Sequence, residues 1–164
     1  MITYFIRTIA LGAAIAVLGA ASAAEIGNLS LTFAGSGKAE TFAPTVGPAY
    51  TDLGMLKGRA QFGVSWSATS GTYGKPDYRM LSLATTAPKD GSAIQGMVLS
   101  DDRSAGFALY QPTCLLNTQD HCDIKAVGVD LNTGERTIRF KDARFLGQVE
   151  DGPEYVVVNG VLHY

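Results

Sequence analysis

The sequence predicts an all-β protein, built as an antiparallel β-sandwich or a small β-barrel of about eight strands. Short runs in which apolar and polar residues alternate recur along the chain, and this period of two is typical of half-buried strands. Nineteen glycines supply the backbone freedom that tight turns, bulges and sheet corners require. After residue 24, no stretch of ten or more residues keeps a helical repeat, so helices are not expected to form the core.

Two runs carry the clearest alternation, and each implies a sheet with one buried face. Their apolar members are Leu29, Leu31 and Phe33 in the first run, and Phe62, Val64 and Trp66 in the second. Trp66 continues the apolar phase and is therefore expected in the core. The segment between the two runs contains Pro44 and Pro48 and is predicted to be a long connection.

Six further strands are expected at residues 78–85, 93–99, 106–111, 124–131, 135–140 and 155–164. Turn residues at Asn132–Thr133–Gly134 and at Asp101–Asp102–Arg103–Ser104 predict two hairpins. Consecutive hairpins favour an antiparallel meander. The last run is expected to pair with the first.

The first 23 residues have the layout of a secretory signal peptide. Arg7 precedes an apolar stretch at 9–18, and an A-x-A-like cleavage site follows at 21–23. The stretch is too short to span a bilayer, so no membrane span is expected after cleavage. We therefore predict a signal peptide at 1–23, a single β domain at 24–164, and a periplasmic or secreted product.

Composition excludes some classes of partner. The 141 residues after the predicted cleavage match one domain in size. They contain twelve Lys and Arg residues against fifteen Asp and Glu residues, a net charge of −3 with His neutral. Nucleic acid is not an expected partner, because phosphate backbones require a concentrated basic surface.

Cys114 and Cys122 are separated by seven residues. In an exported protein this pair predicts a disulfide that closes a small loop. The loop-entropy relation assigns such a ring about 2–3 kcal/mol of stabilisation. A redox-active pair normally has the closer C-x-x-C spacing.

The sequence contains no complete phosphate-loop motif and no complete motif for a catalytic serine. The stretch Gly35–Ser36–Gly37–Lys38 superficially resembles a phosphate loop, but Thr32 and Ala39 occupy positions where that motif needs Gly and Ser or Thr. The two histidines, His121 and His163, have no G-x-S-x-G elbow to accompany them, which disfavours a Ser-His-Asp hydrolase. No cofactor is expected.

Acidic residues are expected at the surface. Asp120, His121 and Asp123 offer metal ligands, but near-adjacent residues in a tight loop rarely converge on one ion, so no metal site is predicted. Carboxylate pairs at 101–102 and 150–151 are interpreted as solvent-facing turn charges. A glycosidase pair elsewhere stays open, because sequence does not show how far apart carboxylates lie.

Candidate contact residues fall into three groups. Tyr73 and Tyr78 lie in or beside a Gly- and Pro-bearing loop, where aromatic rings stack on sugars or anchor proteins. His121 lies in the predicted disulfide loop. Arg139 and Lys141 share one strand face, with Arg144 nearby; this set is either a solvated outer face, which is the default, or a patch for an anionic glycan or lipid headgroup.

These observations favour a non-enzymatic exported protein that binds a protein or glycan partner. A first alternative is a carrier for an apolar ligand, with a barrel cavity lined by residues such as Phe107 and Val129. A second alternative is a carboxylate-based hydrolase, in which acids from separate strands meet in a cleft.

Overall fold

The computed structural model describes residues 27–91, 93–104, 106–116, 123–148 and 153–164. Within these residues, ten strands form one sheet, and a single helical turn, α1, spans Thr113–Leu116. The strands are β1 Leu29–Phe33, β2 Ala39–Phe42, β3 Val46–Leu56, β4 Arg59–Ser70, β5 Arg79–Pro88, β6 Gly96–Arg103, β7 Gly106–Pro112, β8 Val129–Asn132, β9 Thr137–Gly147 and β10 Tyr155–His163. No helix in this described part of the chain is long and apolar enough to cross a membrane.

Every strand pairing is antiparallel, as the alternation predicts. The order across the sheet is β2-β1-β10-β9-β7-β6-β5-β4-β3, and β8 pairs with the first part of β9. Strands β3 to β7 follow one another as the expected meander. The last strand pairs with the first, Leu29 opposite Gly160 and Phe33 opposite Val156, which confirms the predicted closing strand.

The sheet is curled into a half-barrel, so strands that are distant in the sheet order meet across its concave side. Arg79 on β5 contacts Glu40 on β2, with Nη1 and Oε2 2.5 Å apart. Tyr50 on β3 lies beside Tyr164, which follows β10, with ring centroids 6.2 Å apart. Both contacts join an edge strand to a strand from the other half of the sheet.

Large apolar side chains fill the concave side. Trp66, Tyr110 and Phe145 each expose 1% or less of their surface, and burial of one such side chain contributes about 1.5–3 kcal/mol. The two alternating runs recognised in the sequence supply six buried residues, Leu29, Leu31, Phe33, Phe62, Val64 and Trp66. The predicted core position of Trp66 is confirmed.

The predicted long connection between the first two runs is wrong, because it contains β2 and β3. Both are edge strands, and the side chains of β2 and of residues 49–56 are largely exposed, so no buried face imposes an alternating pattern. Pro48 lies where the register shifts between Val46 and Ala49. A bulge on an edge strand is one of the few sheet positions that tolerate proline.

Several element boundaries also differ from expectation; the strand expected at 135–140, for example, is β9 and continues to Gly147. The strand predicted at 124–131 begins only at Val129, because the backbone turns at 124–128 and the amide of Val129 donates to the carbonyl of Ile124 at 2.9 Å. The predicted turn at 101–104 is shorter, since β6 continues to Arg103. Asp101 is therefore a strand residue and is buried, which overturns its interpretation as a solvent-facing turn charge.

Candidate functional site

Strand β9 presents basic side chains on the convex face of the sheet. Ile138 and Phe140 point into the core, whereas Arg139 and Lys141 are exposed. This alternation follows directly from the period of two in a strand. The two basic residues therefore share one outer face.

A bulge brings Arg144 to that same face. The register between β9 and β10 shifts between Val158 and Gly160, and Asp142 has a positive φ of 49°. The Asn159 side chain holds the bulge: its Oδ1 accepts from the Asp142 amide at 2.7 Å and its Nδ2 donates to Asp142 Oδ1 at 3.2 Å. One extra residue reverses the phase of the strand. Arg144 is consequently exposed, where strict alternation from Lys141 would point it into the core.

These side chains border an open cleft of about 770 Å³ on the convex face, which we call the β9 cleft. The turn at 124–128 and strand β8 form one side, and β9 forms the other. Four cations line the cleft, Lys125, Arg139, Lys141 and Arg144, together with two carboxylates, Asp130 and Asp142. The local excess of positive charge contrasts with the net charge of −2 of the whole sequence.

Two of the four cations are already engaged with acids. Lys125 Nζ lies 3.4 Å from Asp130 Oδ1 and Arg139 Nη2 lies 3.3 Å from Glu135 Oε2. These pairs are solvent-exposed, and such pairs contribute between about 0 and 1 kcal/mol. A ligand can therefore compete for both cations at little cost.

Lys141 and Arg144 make no ion pair with any acid in the described part of the chain. The Arg144 guanidinium lies against the Tyr155 ring, with Cζ 3.8 Å from the ring centroid. Stacking of this kind orients the planar guanidinium and leaves N–H donors at its edge. Arg144 is thus a pre-oriented donor for a carboxylate, sulfate or phosphate group.

Gly128 allows the turn to approach β9 closely. It has a φ of 82°, and a Cβ at this position would lie 2.3 Å from the Lys141 carbonyl oxygen. The Lys141 amide donates to the Gly128 carbonyl at 2.8 Å. The shape of the cleft therefore depends on a residue without a side chain.

The remaining predicted contact residues lie elsewhere. Tyr73 exposes 85% of its surface and contacts Tyr78 edge to face, with centroids 5.2 Å apart. Neither tyrosine lines the β9 cleft. His121 and Cys122 lie outside the described residues. Cys114, in α1, packs partly buried against the core, and its disulfide to Cys122 stays a prediction.

A buried charged cluster lies on the concave face. Asp101, 1% exposed, accepts two hydrogen bonds from Arg79, at 2.7 and 2.9 Å, and two from Arg103, at 2.9 Å from Nε and 2.6 Å from Nη2. Burial alone raises the pKa of the Asp101 carboxyl, but the two arginines outweigh it and hold that pKa below its ordinary value. A general acid needs a raised pKa. This arrangement therefore suits structural ion pairing rather than acid catalysis.

The positions named for a carrier cavity do not face a common cavity. Val129 is buried in the packed core, whereas Phe107 exposes 55% of its surface. Strand β7 buries Tyr110 and Pro112, so Phe107, at an odd position, falls on the opposite face. The alternation of β7 contradicts an inward-facing Phe107.

Two residues that shape the site were not recognised from the sequence: Lys125, which lines the cleft, and Tyr155, which packs against Arg144. Lys125 was assigned to a strand, and the stacking of Tyr155 on Arg144 depends on the β9–β10 pairing, which local patterns do not reveal. Among the described residues, no three His, Cys, Asp or Glu side chains are grouped so that they could hold a metal ion. Comparison with known proteins found no matching family model, no similar curated protein and no similar solved structure.

Proposed function

We propose that this protein is an exported binding protein whose β9 cleft holds an acidic glycan. The observation that carries the proposal is that Lys141 and Arg144, at a cleft of about 770 Å³, make no ion pair with any acid that the structure describes. Specific ligand sites commonly have volumes of about 300–1,000 Å³. The cleft is therefore large enough for several sugar units.

The chemistry of the cations favours acidic groups attached to sugars. Arg144, held flat on Tyr155, matches the two oxygens of a carboxylate or sulfate with two parallel N–H donors. Lys141 adds a point charge on the same outer face. Hydrogen bonds to charged groups contribute about 1.5–3 kcal/mol each, so two such contacts give useful affinity to an open cleft.

The surroundings of the cleft favour a glycan over a nucleic acid or an apolar ligand. A nucleic acid would require a broader basic surface than four cations in an acidic chain provide. An apolar ligand would require an interior cavity, whereas Trp66, Tyr110 and Phe145 fill the concave side. The signal peptide predicted at 1–23 supports a periplasmic or extracellular partner.

Isothermal titration calorimetry with a galacturonic acid tetrasaccharide tests the proposal, with neutral cellotetraose as the comparison ligand. We expect the acidic tetrasaccharide to bind and the neutral one to bind at least about tenfold more weakly. Lys141→Gln and Arg144→Gln should each reduce affinity by about tenfold, the equivalent of one charge-assisted hydrogen bond.

Lys75→Gln serves as the matched control, since Lys75 is exposed in the loop after β4 and does not line the cleft. Arg144→Lys keeps the charge but loses the planar donor pair, and it should also weaken binding. Equal affinity for the acidic and neutral tetrasaccharides, unchanged affinity in both Lys141→Gln and Arg144→Gln, or no binding at all would overturn the proposal.

A further inference from the structure

A second cleft, of about 330 Å³, lies at the rim of the half-barrel, apart from the β9 cleft. Its lining combines aromatic rings, two cations and a hydroxyl: Tyr50, Phe62, Tyr164, Lys89, Arg136 and Thr133. No acidic side chain of the described residues lines it. An aromatic surface beside two cations, with no described acid in the lining, is the feature that requires explanation.

The three rings form a nearly parallel platform. Tyr50 and Tyr164 are inclined by 4°, and Phe62 is inclined to them by 18° and 21°. Their centroids are 5.5 to 6.2 Å apart, within the usual range for offset stacking. Phe62 is buried, but Tyr50 keeps 40% of its surface exposed. The platform therefore offers an accessible aromatic face.

Arg136 reaches this platform from a strained backbone position. It ends the β8–β9 turn with a φ of 54°, in the left-handed region, which costs a non-glycine residue about 1–2 kcal/mol. Gly134, the glycine of the predicted turn, is not among the residues with positive φ. From this backbone position, the Arg136 guanidinium lies over Tyr50 and Tyr164, with Cζ 5.1 and 5.9 Å from their ring centroids.

The two cations of this rim cleft differ in how they are compensated. Lys89 is hydrogen-bonded to Asp52, which lies outside the lining. Arg136 makes no ion pair with any acid in the described part of the chain. Arg136 is consequently the group that remains available to an anion.

We infer that the rim cleft binds a small planar organic anion of the aromatic carboxylate class. The ring of the ligand stacks on the platform at its exposed member, Tyr50, and its carboxylate pairs with Arg136. The Thr133 hydroxyl supplies a further donor at the same cleft. This inference uses none of the residues of the proposed glycan site and is independent of it.

Benzoate is the probe, titrated into the isotope-labelled protein and followed by amide NMR shifts. We expect saturable shifts centred on Thr133, Arg136 and Tyr164. Cyclohexanecarboxylate has the charge without the aromatic ring, and benzamide has the ring without the charge. Each should bind at least about fivefold more weakly than benzoate.

Arg136→Gly removes the guanidinium without steric strain in the backbone, since glycine adopts positive φ as readily as negative φ. It should weaken benzoate binding at least about tenfold. Lys57→Gly is the matched control, because Lys57 is also a cation with positive φ, at 48°, but does not line the cleft. Unchanged affinity in Arg136→Gly, equal binding of cyclohexanecarboxylate, or absence of saturable shifts with benzoate would refute the inference. Each of these outcomes leaves the tetrasaccharide titration unaffected.

Discussion

Asp101 and Arg79 form a two-point ion pair on the concave face, with Oδ1 2.7 Å from Nε and Oδ2 2.9 Å from Nη2. Arg79 also reaches Glu40 on β2, and its guanidinium lies over the ring of Phe42 at 5.0 Å. The pair therefore connects adjacent strands β5 and β6 to the distant edge strand β2. We interpret it as the contact that holds the curl of the sheet at this end.

Asp101→Asn should destabilise the protein by about 3 kcal/mol, because it removes the buried carboxylate that pairs with the guanidinium of Arg79 and leaves that guanidinium only the exposed Glu40. Removing one partner of a buried ion pair usually costs about 3–5 kcal/mol. The expected loss lies at the lower end of that range, because Arg103, the other arginine bonded to Asp101, is partly exposed. Urea unfolding measures the loss. Asp102→Asn, at the next position and on the outer face, should change stability by no more than about 0.5 kcal/mol. Equal losses in the two variants would contradict the assigned role.

Stability should fall in acid because of this same carboxyl. The pKa of Asp101 is lower in the folded protein than in the unfolded chain. Its stabilisation is therefore complete above the unfolded pKa of about 4 and is lost as pH falls through the lower folded value. Unfolding free energies measured between pH 6 and pH 2 should decline below about pH 4. The decline should be shallower in Asp101→Asn; parallel curves would show that other carboxyls dominate.

Phe145→Ala should cost about 3–5 kcal/mol, since it opens a cavity in a packed core. Phe145 is fully buried and contacts Phe140, with centroids 6.3 Å apart. Phe107→Ala makes the same chemical change on the exposed face and should cost less than about 1 kcal/mol. Thermal and urea unfolding of both variants provide the comparison, and a large loss in Phe107→Ala would mean that its ring is not exposed in solution.

Gly128→Ala should be more damaging than Gly58→Ala, although both glycines have positive φ, 82° and 77°. A Cβ at Gly58 meets nothing within 4 Å, whereas one at Gly128 would meet the Lys141 carbonyl oxygen at 2.3 Å. The conformational penalty alone is about 1–2 kcal/mol, and the clash at Gly128 should add at least about 1 kcal/mol. Gly128→Ala should also weaken tetrasaccharide binding, while Gly58→Ala should leave that affinity unchanged.

Most of the fold could be predicted where burial imposes a local pattern. The alternation at 29–33 and 62–66 identified inward-facing residues correctly, and Trp66 is buried. Strands β2 and β3 escaped prediction because they lie at the edges of the sheet with largely exposed side chains. A strand that buries no face leaves no alternating signature in its sequence.

The candidate site was partly visible in the sequence. Arg139 and Lys141 follow from strand periodicity, since they are two residues apart on β9. The exposure of Arg144 required the bulge at Asp142, and the contribution of Tyr155 required the pairing of β10 with β9. Arg136 was not recognised, because its strained turn conformation has no glycine signal.

The sequence by itself determined that this chain forms antiparallel strands and which face of the alternating runs turns inward, because a period of two is a local consequence of burying one side of a strand. The tertiary structure alone decided that Asp101 is buried between two arginines and that a bulge carries Arg144 to the outer face. Both depend on the hydrogen-bond register between paired strands, β5 with β6 and β9 with β10. Register is a non-local property, and no short stretch of sequence encodes it.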